Sequence, residues 1–252
     1  MKDRKPTQLI VFDFDWSLVD QDTDRFLFEV LDPDLRILLQ SRKDSMQWTD
    51  NVADCLKRLH ERGFKQEKIR EAFSALPLHP AMKRAIETRA SDQSKIDTTI
   101  LIISNSNSVF IDLVLATHRL DRNLFKDIIT NPAKFTSEGL LHLQRRIAPD
   151  NPRQHACEFG CSPNMCKGEE LKAFLEKNGG RSAFDRIAYV GDGSNDFCPI
   201  TQLEDTDYAL IRKNMELSKR VATEEGKHLR CQKVYWDSAW EVEQIFLKTL
   251  SS

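Results

Sequence analysis

Short apolar runs that end in polar residues recur along the chain and predict the strands of a sheet. The first run covers residues 9–12 and ends at Asp13. Its length suits a strand that is buried on both faces, as in a parallel sheet. Comparable runs predict further strands at residues 99–103, 127–130, 187–190, 208–211 and 231–236, and a hairpin between Phe135 and Leu143.

Between the first two strands the apolar residues recur at helical spacing instead. Breaks at Pro33, Gly63, Pro77 and Pro80 divide this span into short helices. A single crossover between parallel strands needs only about a dozen residues, so this span is longer than a connection requires. We therefore predict a catalytic core at 1–22 and 93–252 and an inserted helical cap at 23–92. The alternative is that these helices cover the sheet as ordinary crossovers.

Beyond this span, strands alternate with helices, which predicts an α/β fold with a Rossmann-like parallel sheet. The 252 residues carry a formal net charge of -2 and contain no basic stripe, so neither nucleic acid nor an anionic membrane surface is an expected partner. The chain lacks a membrane-length apolar run and an apolar signal segment, and we expect a cytoplasmic protein, monomeric or homodimeric.

Two carboxylates follow the first strand directly. Asp13 and Asp15 leave the same face of an extended chain, because side chains alternate along a strand. Two neighbouring anions are unfavourable unless a cation or a shared proton relieves their repulsion. The alternative is that both aspartates only open a turn, which is common at strand ends.

Later strand ends supply complementary polar groups. Ser104 follows the second strand, Lys167 opens a helix, and Asp192 and Asp196 follow the strand at 187–190. The dinucleotide-binding glycine pattern fails here, because its third glycine falls at Asp196. Oxygen ligands of this kind select a hard cation, and Mg²⁺ is the common choice beside phosphate. The set therefore indicates phosphoryl transfer.

In order and spacing these residues resemble the four motifs of the haloacid dehalogenase (HAD) superfamily. The resemblance implies that Asp13 is the nucleophile and that Asp15 is the general acid and base. It implies three phosphate-binding residues, Ser104, Asn105 and Lys167. It also implies a Mg²⁺ site with four contributors, Asp13, Asp15 (through its backbone carbonyl), Asp192 and Asp196.

The pieces Cys166-Lys167-Gly168 and Asp196-Phe197-Cys198-Pro199 are similar to the eukaryotic phosphoethanolamine/phosphocholine phosphatase family, whose relatives include pyridoxal phosphate and thiamine monophosphate phosphatases. In amine-phosphate hydrolysing members two acidic residues meet the substrate ammonium. Asp24 retains the first, whereas Asn105 replaces the second. Trp16 stands where a small or acidic residue is usual and is expected to narrow the pocket. The resemblance thus implies three specificity residues, Trp16, Asp24 and Asn105, and leaves the substrate open.

A cysteine-rich stretch precedes Lys167. His155, Cys157, Cys161 and Cys166 offer four ligands for a structural Zn²⁺. Their spacing is irregular, and a packed thiol beside Lys167 would serve equally well.

Together these features predict a Mg²⁺-dependent phosphatase that hydrolyses a small phosphorylated metabolite through an aspartyl-phosphate. One alternative is a phosphotransferase or mutase that uses the same intermediate. The other is a non-catalytic binding protein that retains the fold.

Overall fold

Six parallel strands form the main sheet of the computed structural model, which describes residues 4–92 and 94–250. These strands are β1 (Thr7–Phe12), β2 (Asp97–Asn107), β3 (Asp127–Asn131), β6 (Arg186–Gly191), β7 (Tyr208–Arg212) and β8 (Gln232–Trp236). Their order across the sheet is β3-β2-β1-β6-β7-β8. A separate antiparallel pair joins β4 (Ala133–Phe135) to β5 (Leu141–Leu143). The predicted α/β parallel-sheet fold and hairpin are confirmed, and β1 lies at the centre with β2 and β6 beside it.

Side chains of β1 alternate between the two faces of the sheet. Ile10 and Phe12 belong to one hydrophobic cluster, and Leu9 and Val11 belong to the other. All four are fully buried, as the apolar run predicts for a central parallel strand. Phe14 joins the first cluster, so the backbone continues to alternate just where the site begins.

Strand β2 is longer than the predicted segment and runs to Asn107. The pairing between β2 and β3 is irregular between Ile103 and Asn107. There the side-chain amide of Asn131 donates to the carbonyls of Asn105 and Ser106, at 2.7 and 2.9 Å. These bonds replace the backbone ladder and keep the segment after Ser104 extended, which apolar patterning alone does not reveal.

Ten α-helices accompany the strands within the described residues. They are α1 (Thr23–Leu31), α2 (Pro33–Ser41), α3 (Trp48–Glu61), α4 (Gln66–Ser74), α5 (Pro80–Ser91), α6 (Ser108–Thr117), α7 (Lys167–Lys177), α8 (Phe197–Ile200), α9 (Glu216–Val221) and α10 (Ala239–Lys248). None of those described helices has the length and apolar character needed to cross a membrane.

Helix α5 packs on the core rather than on the site. Arg84 forms two hydrogen bonds to Glu243 of α10, at 2.8 and 2.9 Å, and Arg89 donates to the carbonyl of Leu250. The division into a core at 1–22 and 93–252 and a cap at 23–92 remains a prediction, and residues 1–3, 93 and 251–252 lie outside the described structure. From the packing of α5, we propose that a cap, if it moves as a unit, ends before Pro80.

Candidate active site

A buried ion pair lies at the carboxyl end of β1. The Lys167 ammonium is 2.7 Å from Asp13 Oδ2 and 2.8 Å from Asp196 Oδ1, and its side chain is 1 % exposed. Lys167 is the first residue of α7, so the helix start delivers its amino group to the sheet edge. Burial would lower the pKa of Lys167, but the Asp13 and Asp196 carboxylates outweigh it and raise the pKa above its ordinary value. The ammonium is therefore charged and fixed between two anions.

Asp196 is held by four hydrogen bonds. Its Oδ1 accepts from Lys167 and from the Tyr189 hydroxyl at 2.7 Å, and its Oδ2 accepts from the backbone N–H groups of Asp192 and Gly193. The Cβ of any side chain at Gly191 would lie 2.8 Å from the Asp196 Cβ and closer still to its carboxylate carbon, so glycine is needed for this close approach. Asp196 thus shapes the turn that presents Asp192.

Three carboxylates converge at this point. Oxygens of Asp13, Asp192 and Asp196 all lie within 4.8 Å of one another, and all three residues are buried. Asp192 Oδ1 accepts a hydrogen bond from the Ser17 hydroxyl at 2.9 Å, which fixes the side chain toward the β1 loop. Such a set of anionic oxygens suits a hard divalent cation.

The same crowding changes the acidity of the carboxylates. Burial and the Asp196 charge raise the pKa of Asp13 to about 7, although Lys167 opposes the shift. Burial and the charges of Asp13 and Asp196 raise the pKa of Asp192 to about 8. A cation among them would favour the ionised carboxylates and so oppose both shifts.

Asp15 lies beside this cluster, at the start of the loop that leads to α1. Its Oδ1 accepts from the backbone N–H of Thr23 at 3.0 Å. Burial, followed by the charges of Asp22 and Asp24, raises the pKa of Asp15 well above its ordinary value. An aspartic acid whose pKa is raised holds its proton more tightly than an exposed one and is suited to donate it to a leaving group.

The end of β2 contributes hydroxyl and amide groups. Ser104 is buried, and its hydroxyl oxygen accepts from the Ser106 N–H at 3.1 Å, which leaves the hydroxyl proton for another acceptor. Asn105 accepts through Oδ1 from Asn195 at 3.0 Å, so the end of β2 meets the turn that follows β6. Both residues lie near the carboxyl end of β2, which pairs with β1, and their role in binding a phosphoryl group remains a prediction.

Asp24, predicted to contact the substrate, has a partner that the sequence did not reveal. Trp48 Nε1 donates to Asp24 Oδ2 at 2.7 Å, which joins the starts of α3 and α1. Burial and the Asp22 charge raise the pKa of Asp24 to about 7, while the Trp48 bond lowers it.

Trp16 is held against the opposite side of the loop. Its backbone adopts φ +56°, a left-handed conformation that is rare for a bulky residue. Arg212 donates to the Trp16 carbonyl at 2.6 Å, lies 5.7 Å from its ring and pairs with Asp20. Arg212, at the end of β7, therefore stabilises the unusual backbone conformation of Trp16. The influence of Trp16 on substrate specificity remains a prediction.

The first turn of α3 is tied to the core at several points. Gln47 donates to the Pro163 carbonyl at 3.2 Å, and the Asn164 amide donates to Thr49 Oγ1 at 3.1 Å. Arg145 forms a bidentate pair with Asp50. These contacts fix Trp48 beside the predicted catalytic cluster. We use this name for Lys167 and the carboxylates of Asp13, Asp15, Asp192 and Asp196.

A cavity of about 400 Å³ opens next to this turn. Its lining includes Trp48, Asn105, Asn195, Cys161 and Arg220. Because Asn105 follows Ser104 and Asn195 precedes Asp196, the cavity adjoins the catalytic cluster and offers space for the rest of a small substrate.

The cysteine-rich stretch requires one correction. The thiols of Cys157, Cys161 and Cys166 do gather, but the fourth member of their cluster is Cys198 and not His155. His155 Nε2 instead lies 3.0 Å from the Ser162 carbonyl, within its own loop. Sequence reasoning chose the nearest histidine, whereas the fold brings in a cysteine from α8.

Sequence reasoning also missed Tyr189 and Trp48. Tyr189 had one available signal, since an aromatic hydroxyl inside a buried strand requires a hydrogen-bond partner. Trp48 had none, because its partner Asp24 lies on another helix. The structure brings Asp13, Lys167, Asp192 and Asp196 into direct contact or close proximity, with Asp15 and Ser104 at the same sheet edge; their catalytic roles remain predictions.

The sequence profile of a family described as Putative Phosphatase matches residues 8–250. The chain belongs to this family. It is 34% identical over 217 residues to "Probable phosphatase phospho2" of Xenopus tropicalis, with 85% of this chain and 87% of that protein covered. It is 32% identical over 238 residues to "Pyridoxal phosphate phosphatase PHOSPHO2" of Rattus norvegicus, with 93% and 95% covered.

Among solved structures, a HAD family hydrolase from Salmonella enterica shares the fold. Its TM-score is 0.62 at 12% identity, with 96% of this chain and 72% of that chain covered. Family membership confirms the expectation that the chain is a phosphatase, and the shared fold confirms the expected HAD-like core.

Proposed function

We propose that this chain is a Mg²⁺-dependent phosphomonoesterase that works through an aspartyl-phosphate at Asp13. The observation that carries the proposal is the buried Lys167 ammonium, 2.7 Å from Asp13 and 2.8 Å from Asp196 at the sheet edge. A fully buried charge is costly unless it serves anionic partners. In this proposal the Lys167 ammonium interacts with the attacking Asp13 carboxylate and with the phosphoryl group at the same time.

The donor set fits Mg²⁺. Asp13 and Asp192 supply convergent carboxylate oxygens, and the backbone carbonyl of Asp15 is the third protein ligand that the resemblance implies. Asp196 accepts four hydrogen bonds, from Lys167, Tyr189 and two backbone N–H groups, so its part in this proposal is to orient Lys167 and the Asp192 loop. When bound, Mg²⁺ would neutralise the phosphate and the nucleophile so that the two anions can approach.

Each side chain then has a defined task. The Asp13 oxygen attacks phosphorus, and the bond from phosphorus to the leaving oxygen breaks. Asp15, whose pKa is raised by burial and by Asp22 and Asp24, gives its proton to that oxygen. Asp15 then accepts a proton from the water that hydrolyses the aspartyl-phosphate, which releases phosphate and restores Asp13. Lys167 and Ser104 hold the phosphoryl oxygens through both steps.

The cavity indicates a small substrate. Trp48 and Asn105 lie on its wall, next to the predicted position of the phosphoryl group. Asp24 offers a carboxylate for a positively charged substrate group, but it already accepts from Trp48. Pyridoxal phosphate, which the rat relative is named for, is a candidate beside phosphoethanolamine, phosphocholine and thiamine monophosphate.

The test is phosphate release from these four phosphomonoesters, with Mg²⁺ and with a chelator. We expect one substrate to have the highest kcat/KM, and we expect turnover to stop when the metal is removed. A parallel reaction with an added alcohol acceptor separates hydrolysis from phosphotransfer by its product. A folded, Mg²⁺-loaded protein that releases no phosphate from any of the four, and transfers none, would contradict the proposal and favour a binding protein.

A further inference from the structure

Four cysteine thiols converge on one point beside the active site. The Sγ atoms of Cys157, Cys161, Cys166 and Cys198 all lie within 4.8 Å of one another. The separations are 3.4 Å for Cys157–Cys161, 3.3 Å for Cys157–Cys198 and 3.4 Å for Cys166–Cys198. We propose that these four residues form a closed structural Zn²⁺ site.

The geometry suits a tetrahedral ion. Zinc–sulfur bonds of about 2.3 Å place four tetrahedral sulfurs about 3.8 Å apart. The three separations above are slightly shorter and the whole set lies within 4.8 Å, so small outward shifts of the sulfurs would accommodate the ion. Thiols are weak hydrogen-bond donors and acceptors, so hydrogen bonding alone gives little reason for four of them to gather. Among biological metals, four sulfur ligands in tetrahedral arrangement select zinc or iron, and zinc is the usual ion of a closed structural site.

The chain makes room for the fourth thiol. A Cβ atom at Gly168 would lie 2.5 Å from Cys198 Sγ, a distance that no packed side chain tolerates. Glycine directly after Lys167 therefore lets α8 approach the start of α7. Cys198 is 32 residues beyond Cys166, and only this approach brings its sulfur into the cluster.

The loop that carries three of these cysteines is tied to α3 near its ends, through Arg145, Pro163 and Asn164, but its middle also needs an anchor. Residues 144–166 contain neither helix nor strand, and a loop of this length is uncommon in a compact domain without a function or a fixed point. Phe159 near its middle is 43 % exposed, so apolar burial contributes little there. A metal that binds the folded loop but not the unfolded chain would offset the entropy of ordering it.

The position of the site links it to the catalytic residues. Cys166 directly precedes Lys167, and Cys198 follows Asp196 by two residues. Zinc would therefore join the two segments whose side chains meet in the 2.8 Å pair between Lys167 and Asp196. The role is structural, because the four thiols form a group separate from the carboxylates of Asp13, Asp192 and Asp196.

The test is the metal content of the full chain, purified without chelator and dialysed against excess Mg²⁺ so that the carboxylates retain no zinc. We expect about one zinc per chain, released into a chromogenic chelator as a mercurial reagent titrates the thiols. Cys157→Ser and Cys198→Ser should each lower the zinc content at least about tenfold. Cys55→Ser and Cys231→Ser are matched controls, since both thiols are buried elsewhere, and should leave it unchanged.

His155→Ala separates the two possible ligand sets and should retain the zinc. If a serine variant fails to fold, Co²⁺ substitution in the wild-type protein still tests the proposal. Co²⁺ bound at the four cysteines should give the intense thiolate-to-cobalt absorption of a tetrahedral sulfur site. Wild-type protein that contains no zinc and takes up no Co²⁺ would overturn the proposal. So would zinc that persists in Cys198→Ser, or a disulfide among the four cysteines of freshly isolated protein.

Discussion

Trp48 Nε1 donates a hydrogen bond of 2.7 Å to Asp24 Oδ2, and so links the first turns of α3 and α1 beside the catalytic cluster. Asp24 is 5 % exposed, so solvent offers this carboxylate little compensation. The indole therefore stabilises the carboxylate form of Asp24, which burial and the neighbouring Asp22 charge oppose.

Trp48→Phe should destabilise the protein. The substitution keeps an aromatic ring but removes the donor, which leaves a buried carboxylate oxygen without this partner at a cost of about 1–3 kcal/mol. Denaturant unfolding at pH 8, where the Asp24 carboxyl is mostly ionised, measures the effect. Trp240→Phe is the matched control, because that tryptophan is 54 % exposed, and it should change stability by less than about 0.5 kcal/mol. Equal effects of the two substitutions would contradict the importance of the bond.

Asp24→Asn should change how stability depends on pH. Burial and Asp22 raise the pKa of Asp24 from 3.8 to about 7, so the folded chain holds a proton that the unfolded chain releases. Stability must then fall as pH rises between these two values, by at most about 1.4 kcal/mol per pH unit for this group. Without the ionisable group this decline should be smaller. The free energy of unfolding of the variant, relative to that of the wild type, should therefore increase toward pH 8.

Metal-free protein is the sample for this comparison, and Asp13 and Asp192 should contribute equally to both proteins. Loss of the Asp24 charge should also lower the pKa of Asp15, which makes the decline in stability with rising pH smaller still. Parallel stability curves from pH 4 to pH 8 would show that Asp24 is not perturbed.

Most of the fold follows from local patterns, because each strand carries its own signal. The run at residues 9–12 is apolar on both faces, and this alone places β1 inside a parallel sheet with Asp13 at its end. The polar residues at strand ends could be grouped for the same reason, since parallel strands share one edge.

Contacts between distant segments could not be predicted in this way. Cys198 joins Cys157 across 41 residues because β6 returns beside β1, whereas local spacing offers His155. In the same way, the helical pattern of α5 does not indicate that α5 packs against α10. The salt bridge from Arg84 to Glu243 that joins these helices spans 159 residues. Periodicity shows that a face is buried but not which surface buries it.

Lys167→Met should destabilise the protein strongly at neutral pH. The substitution preserves the length of the side chain but leaves Asp13 and Asp196 without the ammonium between them. Removing one partner of a buried ion pair costs about 3–5 kcal/mol, and protonation of Asp13 should recover part of this at acid pH. Lys172→Met, on the exposed face of the same helix, should be nearly neutral. Unfolding of chelator-treated samples provides the measurement; a loss that is unchanged at acid pH would argue against the electrostatic cause.

Asp13→Asn and Asp15→Asn should abolish turnover in distinguishable ways. Without Asp13 no phosphoryl group can be accepted, so kcat should fall at least about a thousandfold and no phosphoprotein should form. Without Asp15 a substrate with a good leaving group, such as p-nitrophenyl phosphate, still phosphorylates Asp13, because that oxygen needs no proton from the enzyme. Hydrolysis of the intermediate is then slow, since no carboxylate activates the water.

Rapid mixing should therefore show a burst of about one nitrophenolate per chain with Asp15→Asn, and none with Asp13→Asn. Intact-protein mass spectrometry of the quenched reaction should find the phosphoryl group only in the Asp15 variant. Asp112→Asn, an exposed aspartate on α6, controls for loss of an acidic group and should turn over normally. A burst with Asp13→Asn, or phosphate bound elsewhere in the Asp15 variant, would assign the nucleophile to another residue.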